Sequence, residues 1–172
     1  MRRMRTILLP GALGLCLAAC AGDVAPPEQP TFYRSMASPT AELDANTAAS
    51  MISGYRQNNG LGPVAVDPVL MRLASEQSRA MAQRDKLDHN AARSFTDRVT
   101  SAGFPAKAAV ENVGAGYHTL AEAFSGWRDS PPHRANMLKP GVTRMGIAAV
   151  YAPNSKYKVF WTLIMAAPDR EG

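Results

Sequence analysis

The chain has 172 residues, of which 46% are hydrophobic and 19% are charged. This composition excludes a disordered chain, and the length leaves room for one domain. The formal net charge is +5, but Arg2, Arg3 and Arg5 lie in a segment that we expect to be removed. The remaining 16 basic and 14 acidic side chains form no basic cluster, which excludes a nucleic-acid partner.

The N-terminus predicts export. Residues 1–5 are basic, and residues 7–19 form an apolar run of about 13 residues, whereas a membrane-spanning helix needs roughly 20. The run ends in Leu17-Ala18-Ala19-Cys20, which resembles the lipobox of bacterial lipoproteins, where the cysteine is acylated and the peptide is cut before it. The alternative is an ordinary secretory peptide whose small residues happen to precede a cysteine. We predict a signal peptide at 1–19 and a membrane anchor at lipidated Cys20.

The rest of the N-terminal region has a linker composition. Cys16 lies within the apolar run, so the mature chain keeps only Cys20 and forms no disulfide. Residue 21 is Ala, not the Asp that retains lipoproteins in the inner membrane of enteric bacteria, so we expect the periplasmic face of the outer membrane. Residues 20–43 are predicted to be a proline-rich tether. Whether Phe32 and Tyr33 dock on the domain is left open.

Helical spacing dominates the domain predicted at 44–167, which is followed by a short tail at 168–172. One helix follows Asp44 and stops near Gly60. Asp67 and Pro68 predict the start of a second, and a third spans roughly 94–102. A capping box predicts a fourth from Thr119.

Short apolar runs with aromatic residues follow the helices. Met145 to Tyr151 and Tyr157 to Met165 predict two antiparallel strands joined by a turn, and Val110 to Val113 predicts a third strand. Since helices come first and the hairpin last, an α+β fold is favoured over alternating βαβ units.

Four motifs occur in one order along the predicted domain. They are Lys86-Leu87-Asp88-His89, then Phe95-Thr96-Asp97-Arg98-Val99, then Glu111-Asn112-Val113-Gly114, and then the block from Trp127 to Leu138 that contains Ser130-Pro131-Pro132-His133-Arg134-Ala135-Asn136. Together they resemble the bacterial, SCP-like branch of the CAP superfamily, which also holds cysteine-rich secretory proteins, insect venom antigen 5 and plant pathogenesis-related proteins. The resemblance covers about residues 45–166.

The resemblance implies a three-layer α-β-α sandwich with a central antiparallel sheet and a cleft on one side. It also implies a polar, ligand-binding cluster in that cleft, with His89, His133 and Glu111, and with Asp97 as the candidate second acid. In some members the two histidines bind a divalent metal, often zinc. With only two strong protein ligands, His89 and His133, we expect a weakly bound ion whose coordination is completed by water or acid contacts.

Each candidate also has a structural interpretation. His89 would favour a helix C-terminus, where it ends a predicted helix, and Asp97 has the position of the third residue in a helical cap. His133 could merely fix the loop after Trp127. Glu111 lies in an apolar strand, where a carboxylate is costly unless it is paired.

Three function classes remain. The leading hypothesis is a binding module for a small ligand, a lipid-like molecule or an envelope component, with help from a metal and with no catalytic residue assigned. The first rival is a metal-assisted hydrolase of peptide or envelope substrates that uses Glu111 or metal-bound water as base. The second is a structural envelope lipoprotein. No nucleophile motif favours the enzyme.

Overall fold

The computed structural model describes residues 29–169; the predicted signal peptide, Cys20 and the last residues of the tail lie outside this part. In the described chain, helices and strands follow one another in an irregular order. The elements are α1 (Ala45–Gln57), β1 (Ala65–Val66), α2 (Pro68–Arg84), α3 (Phe95–Ser101), β2 (Ala106–Ala115), α4 (Leu120–Asp129), α5 (Pro131–Met137), β3 (Arg144–Tyr151) and β4 (Val159–Pro168).

A four-stranded sheet forms the middle layer, with the strand order β1-β3-β4-β2. Alternate residues of β4 point to opposite faces. Trp161, Leu163 and Met165 pack with α1, α4 and α5, whereas Ile164 packs with α2 and α3. The helices therefore cover both faces, and the predicted α-β-α sandwich is confirmed.

The sheet is mixed and not purely antiparallel. β4 pairs antiparallel with both β2 and β3, as predicted for the hairpin. The two-residue strand β1, which the sequence does not predict, pairs parallel with the start of β3. Such a short strand carries no periodicity, so its pattern could not be recognised in the sequence.

The predicted helix starts are capped. The side chains of Asp44 and Asp67 accept hydrogen bonds from the first backbone N–H groups of α1 and α2, and Pro68 is the first residue of α2. Thr119 and Glu122 form the complete capping box of α4. These local signals could be predicted because each involves residues only a few positions apart.

Two predicted features need correction near the candidate site. The second helix ends at Arg84, because Asp85 adopts a left-handed conformation with φ 48°, so His89 lies in the following loop and not at a helix end. His133 lies in the short helix α5 and not in a loop. α5 starts with two prolines, which fit the first turn of a helix because their missing N–H groups need no partner there.

Part of the predicted tether packs on the domain. Met36 is buried, Phe32 contacts the core beneath α1 and α4, and the Met36 N–H donates to the His118 carbonyl. The folded part therefore begins before Asp44. Within residues 29–169, no helix is both long and apolar enough to span a membrane.

A buried arginine joins the N-terminal and C-terminal halves. Arg56 of α1 is 1% exposed and donates to the carbonyls of Gly62, Met137, Lys139 and Val142 at 2.8–3.0 Å. These bonds fix the end of α5 and the loop that leads into β3.

Candidate functional site

Glu111 forms the centre of a buried polar cluster on β2. Its side chain is 2% exposed, and its Oε2 accepts a 2.7 Å hydrogen bond from Nη2 of Arg98, whose side chain is 0% exposed. Arg98 belongs to α3, which packs against the face of the sheet that α2 also covers. Burying a carboxylate is costly unless a partner of opposite sign compensates its charge, and Arg98 is that partner for Glu111.

The second carboxylate oxygen of Glu111 contacts His89. His89 Nδ1 lies 2.9 Å from Oε1, so that the ring donates its Nδ1–H to an oxygen that can only accept. The His89 side chain is 52% exposed, which leaves the rest of the ring open to solvent. Both oxygens of Glu111 are therefore occupied by this chain, while one edge of the imidazole is accessible.

The loop that carries His89 is fixed from two sides. Arg98 Nη2 donates to the His89 carbonyl at 3.0 Å. Gln77, a fully buried residue of α2, donates to the Asp88 carbonyl at 2.6 Å and accepts from the Ala92 N–H at 3.2 Å. The position of His89 is thus set by residues of α2, α3 and β2.

His133 is a residue of α5, which packs against β2. Asn112 Nδ2 donates to the His133 carbonyl at 2.9 Å. Asn136 Nδ2 donates both to Asn112 Oδ1 at 2.9 Å and to the Glu111 carbonyl at 3.0 Å. The Asn112 and Asn136 amides therefore hold α5 against β2 beside Glu111.

The two histidines have opposite electrostatic environments. The hydrogen bond to Glu111 raises the pKa of His89 above its usual value, although burial opposes this effect. Burial lowers the pKa of His133, and the charge of His89 lowers it further. The pKa values of the two histidines are therefore shifted in opposite directions, each by a different main cause.

Asp97 is not part of this cluster. It is exposed on α3, and its backbone N–H donates to Ser94 Oγ in the helix cap. The structural interpretation of Asp97 is the better one. Its neighbour Arg98 points inward instead, since consecutive helical residues face directions about 100° apart.

Two imidazoles alone could form only an open metal site and not a closed one. Within residues 29–169, no three side chains of His, Cys, Asp or Glu are grouped so that they could share an ion. His89 and His133 would hold a metal as the only protein ligands, with Glu111 orienting His89 through its Nδ1–H. A groove of about 500 Å³ beside the β3–β4 turn is not lined by these three residues.

Three residues of the site, Gln77, Arg98 and Asn136, were not predicted from the sequence. Gln77 and Arg98 share one available signal, since a polar side chain on the apolar face of a helix predicts a buried hydrogen-bonding role. Asn136 stands in the same motif as His133, but its link to β2 depends on the position of α5.

The sequence profile of the cysteine-rich secretory protein family, CAP, matches residues 49–165. The chain belongs to the CAP family. The matched range includes every side chain of the Glu111 cluster, so the cluster is part of the CAP domain.

Similar proteins come from several bacteria. The chain is 33% identical over 131 residues to the protein YkwD of Bacillus subtilis, in a match that covers 67% of this chain and 51% of YkwD. A Bacillus anthracis extracellular protein containing a SCP domain has a TM-score of 0.61 at 22% identity, covering 70% of this chain and 39% of that one. An outer surface protein of Borrelia burgdorferi has a TM-score of 0.65 at 14% identity, covering 75% of this chain and 98% of that one.

The chain spans about half the length of the curated relative it matches. The likeness to the two solved structures, at identities under 25%, supports the fold of the CAP domain.

Proposed function

We propose that this chain is an exported lipoprotein whose CAP domain binds a small ligand at the His89–Glu111–His133 cluster, with a divalent metal such as zinc held by the two imidazoles. The ligand is a small molecule, a lipid-like molecule or an envelope component. One observation supports this proposal above all. Both carboxylate oxygens of Glu111 accept hydrogen bonds, from Arg98 and from His89, while the His89 side chain stays half exposed.

The Glu111 pairing prepares His89 for ligand binding. Because the Nδ1–H is donated to a carboxylate, the neutral ring keeps its lone pair on Nε2, on the side away from Glu111. A carboxylate behind a histidine fixes the ring and increases its basicity, as at many metal sites. His133, with its lowered pKa, is neutral near pH 7 and therefore able to ligate.

A metal at this position would be held loosely. Two imidazoles leave two positions of a tetrahedral ion for water or ligand atoms. When bound, such an ion supplies a Lewis acid that polarises a ligand oxygen. The CAP domain itself supplies the His89 ring and the buried Arg98–Glu111 pair behind it, together with His133 on α5.

The same pairing favours binding over hydrolysis. A general base must reach the proton it removes, within about 3 Å or through one water. Glu111 is 2% exposed on its side chain, and both of its oxygens already accept hydrogen bonds. We therefore expect no turnover of casein, simple esters or purified peptidoglycan.

The proposed cellular location rests on the N-terminal sequence. Leu17-Ala18-Ala19-Cys20 resembles a lipobox, and the Borrelia burgdorferi and Bacillus anthracis proteins of similar fold are described as outer-surface and extracellular. We place the anchor in the outer membrane, facing the periplasm. Mass spectrometry of the native protein should find an acylated Cys20 as the first residue. An unmodified N-terminus beyond residue 20 would contradict the anchor.

Zinc calorimetry tests the cluster. We would use residues 21–172, because the free thiol of Cys20 would itself bind zinc. His89→Ala should weaken zinc binding at least tenfold, about 1.4 kcal/mol, while the fold is retained. Asp97→Asn is the matched control and should leave the affinity unchanged, because Asp97 is exposed outside the cluster. Equal affinity in the wild type and in the His89→Ala/His133→Ala double variant would overturn the metal site.

A further inference from the structure

Tyr33 is an exposed aromatic residue that is not part of the hydrophobic core. Residues Thr31–Tyr33 form a single 3-10 turn, in which Phe32 packs on the core and the Tyr33 ring lies tilted at 4.7 Å from the Phe32 ring. Tyr33 itself is 51% exposed.

Hydrogen bonds on both sides of the turn attach it to the domain, with Tyr33 outside the core. Thr31 Oγ1 lies 3.1 Å from Thr47 Oγ1 of α1, and three residues beyond Tyr33 the buried Met36 donates its N–H to the His118 carbonyl at 2.6 Å. The ring is therefore presented to the outside of the α1–α4 layer. An aromatic ring with a polar tip suits an environment that is apolar on one side and wet on the other.

Tyr33 lies close in the sequence to the predicted anchor at Cys20, and this indicates what its surface contacts. The described chain begins at Gln29, nine positions after Cys20, and nine residues span at most about 30 Å. Short tethers of this kind produce effective concentrations in the millimolar range, at which weak contacts become populated.

We propose that the Phe32–Tyr33 turn rests on the headgroup region of the membrane to which Cys20 is anchored. This inference rests on the anchor of the proposed function and adds an orientation to it. Tyrosine is enriched at the membrane–water interface for the reasons given above. The α1–α4 layer then faces the bilayer, and α2 with the His89 loop faces away from it.

Leu87 offers a matched control on the opposite side of the protein. It is 47% exposed, close to the value for Tyr33, and it lies in the loop after α2, the helix that packs on the other face of the sheet. If exposure alone brought side chains to the membrane, both residues would contact it. The orientation proposed here allows only Tyr33 to do so.

The experiment couples residues 20–172 to vesicles through Cys20, the single cysteine of that chain, using a maleimide lipid in phosphatidylethanolamine and phosphatidylglycerol. Tyr33→Trp and Leu87→Trp each add one exposed indole to the buried Trp127 and Trp161. Brominated lipids then quench those indoles that contact the bilayer.

We expect roughly half or more of the added emission of Tyr33→Trp to be quenched, because indole rings settle at the interface, and none of that of Leu87→Trp. Unquenched Tyr33→Trp, or equal quenching of the two variants, would overturn the orientation. Because the lipid is supplied chemically, either result is independent of whether the cell acylates Cys20. Failure of the anchor is detected separately by mass spectrometry of the native protein.

Discussion

The Arg98 guanidinium lies 2.7 Å from the Glu111 carboxylate, and solvent reaches neither side chain, with 0% and 2% exposed. This pair connects α3 to β2 and, through the Arg98 bond to the His89 carbonyl, also fixes the His89 loop. The Glu111 cluster therefore contains a structural part, Arg98 and Glu111, and an accessible part, the half-exposed His89 ring.

Arg98→Met should strongly destabilise the protein. Removing one partner of a buried ion pair leaves an uncompensated charge and costs about 3–5 kcal/mol. Arg93→Met is the matched control, because the Arg93–Glu76 pair is 3.6 Å long with side chains 51% and 46% exposed. An exposed pair of this kind contributes about 0–1 kcal/mol. Urea unfolding of both variants measures the difference, and similar losses would show that Glu111 does not depend on Arg98.

The pH dependence should separate the two histidines. His89 has a raised pKa in the folded state, so its contribution to stability is complete below about pH 6.5 and is lost as the pH rises through the folded-state pKa. His133 has a lowered pKa, so its contribution is present above about pH 6.5 and is lost as the pH falls through the folded-state pKa.

NMR titration of the imidazole ring protons measures both values. We expect His89 to titrate at a higher pH than His133. Glu111→Gln should lower the pKa of His89, because it removes the carboxylate that stabilises the imidazolium. His89→Ala should raise the pKa of His133. The reverse order in the wild type would show that the Glu111–His89 bond does not form in solution.

Gln77→Met should loosen the His89 loop. The substitution nearly preserves the side-chain volume but leaves the Asp88 carbonyl and the Ala92 N–H without their partner, which costs about 1–3 kcal/mol for each group that stays buried. Zinc affinity should fall as well, because His89 loses part of its support. Gln83→Met, an exposed position on the same helix, should change stability by less than about 0.5 kcal/mol. If both variants bind zinc like the wild type, Gln77 does not position His89.

Gly146→Ala tests the closest approach of α2 to the sheet. A Cβ at Gly146 would collide with the backbone of Leu70 and Met71, which cannot move like a side-chain end. Overpacking of this kind costs about 1–3 kcal/mol or more. Gly54→Ala in α1 meets nothing within 4 Å and should instead stabilise the helix by about 0.5–1 kcal/mol. Thermal unfolding of the two variants should therefore shift in opposite directions, and a harmless Gly146→Ala would contradict the tight packing.

Features that depend on neighbouring residues could be predicted from the sequence. The apolar face of α2 and its Asp67 cap follow from spacings of three or four residues, and the β3–β4 hairpin follows from two runs joined by a short turn. Leu70, Leu73 and Met81 are buried as the spacing requires.

The remaining features depend on distant partners. β1 is a strand only because Ala65 and Val66 pair with the start of β3, about 80 positions later. Arg98 stands in one of the motifs, but its role requires Glu111 from another element. Asp97 is a candidate only through the family resemblance, and the direction of its side chain depends on how α3 packs.

The strand at the centre of the sheet is also the last one in the described chain. β4 separates β3 from β2, so these two strands cannot join one sheet while residues 159–168 are absent. Two of the hydrogen bonds of Arg56 likewise need carbonyls 81 and 86 positions later in the chain. Long-range pairing of this kind delays folding until both partners are available. A chain that leaves the ribosome or crosses a membrane N-terminus first therefore stays uncommitted until its final strand has emerged.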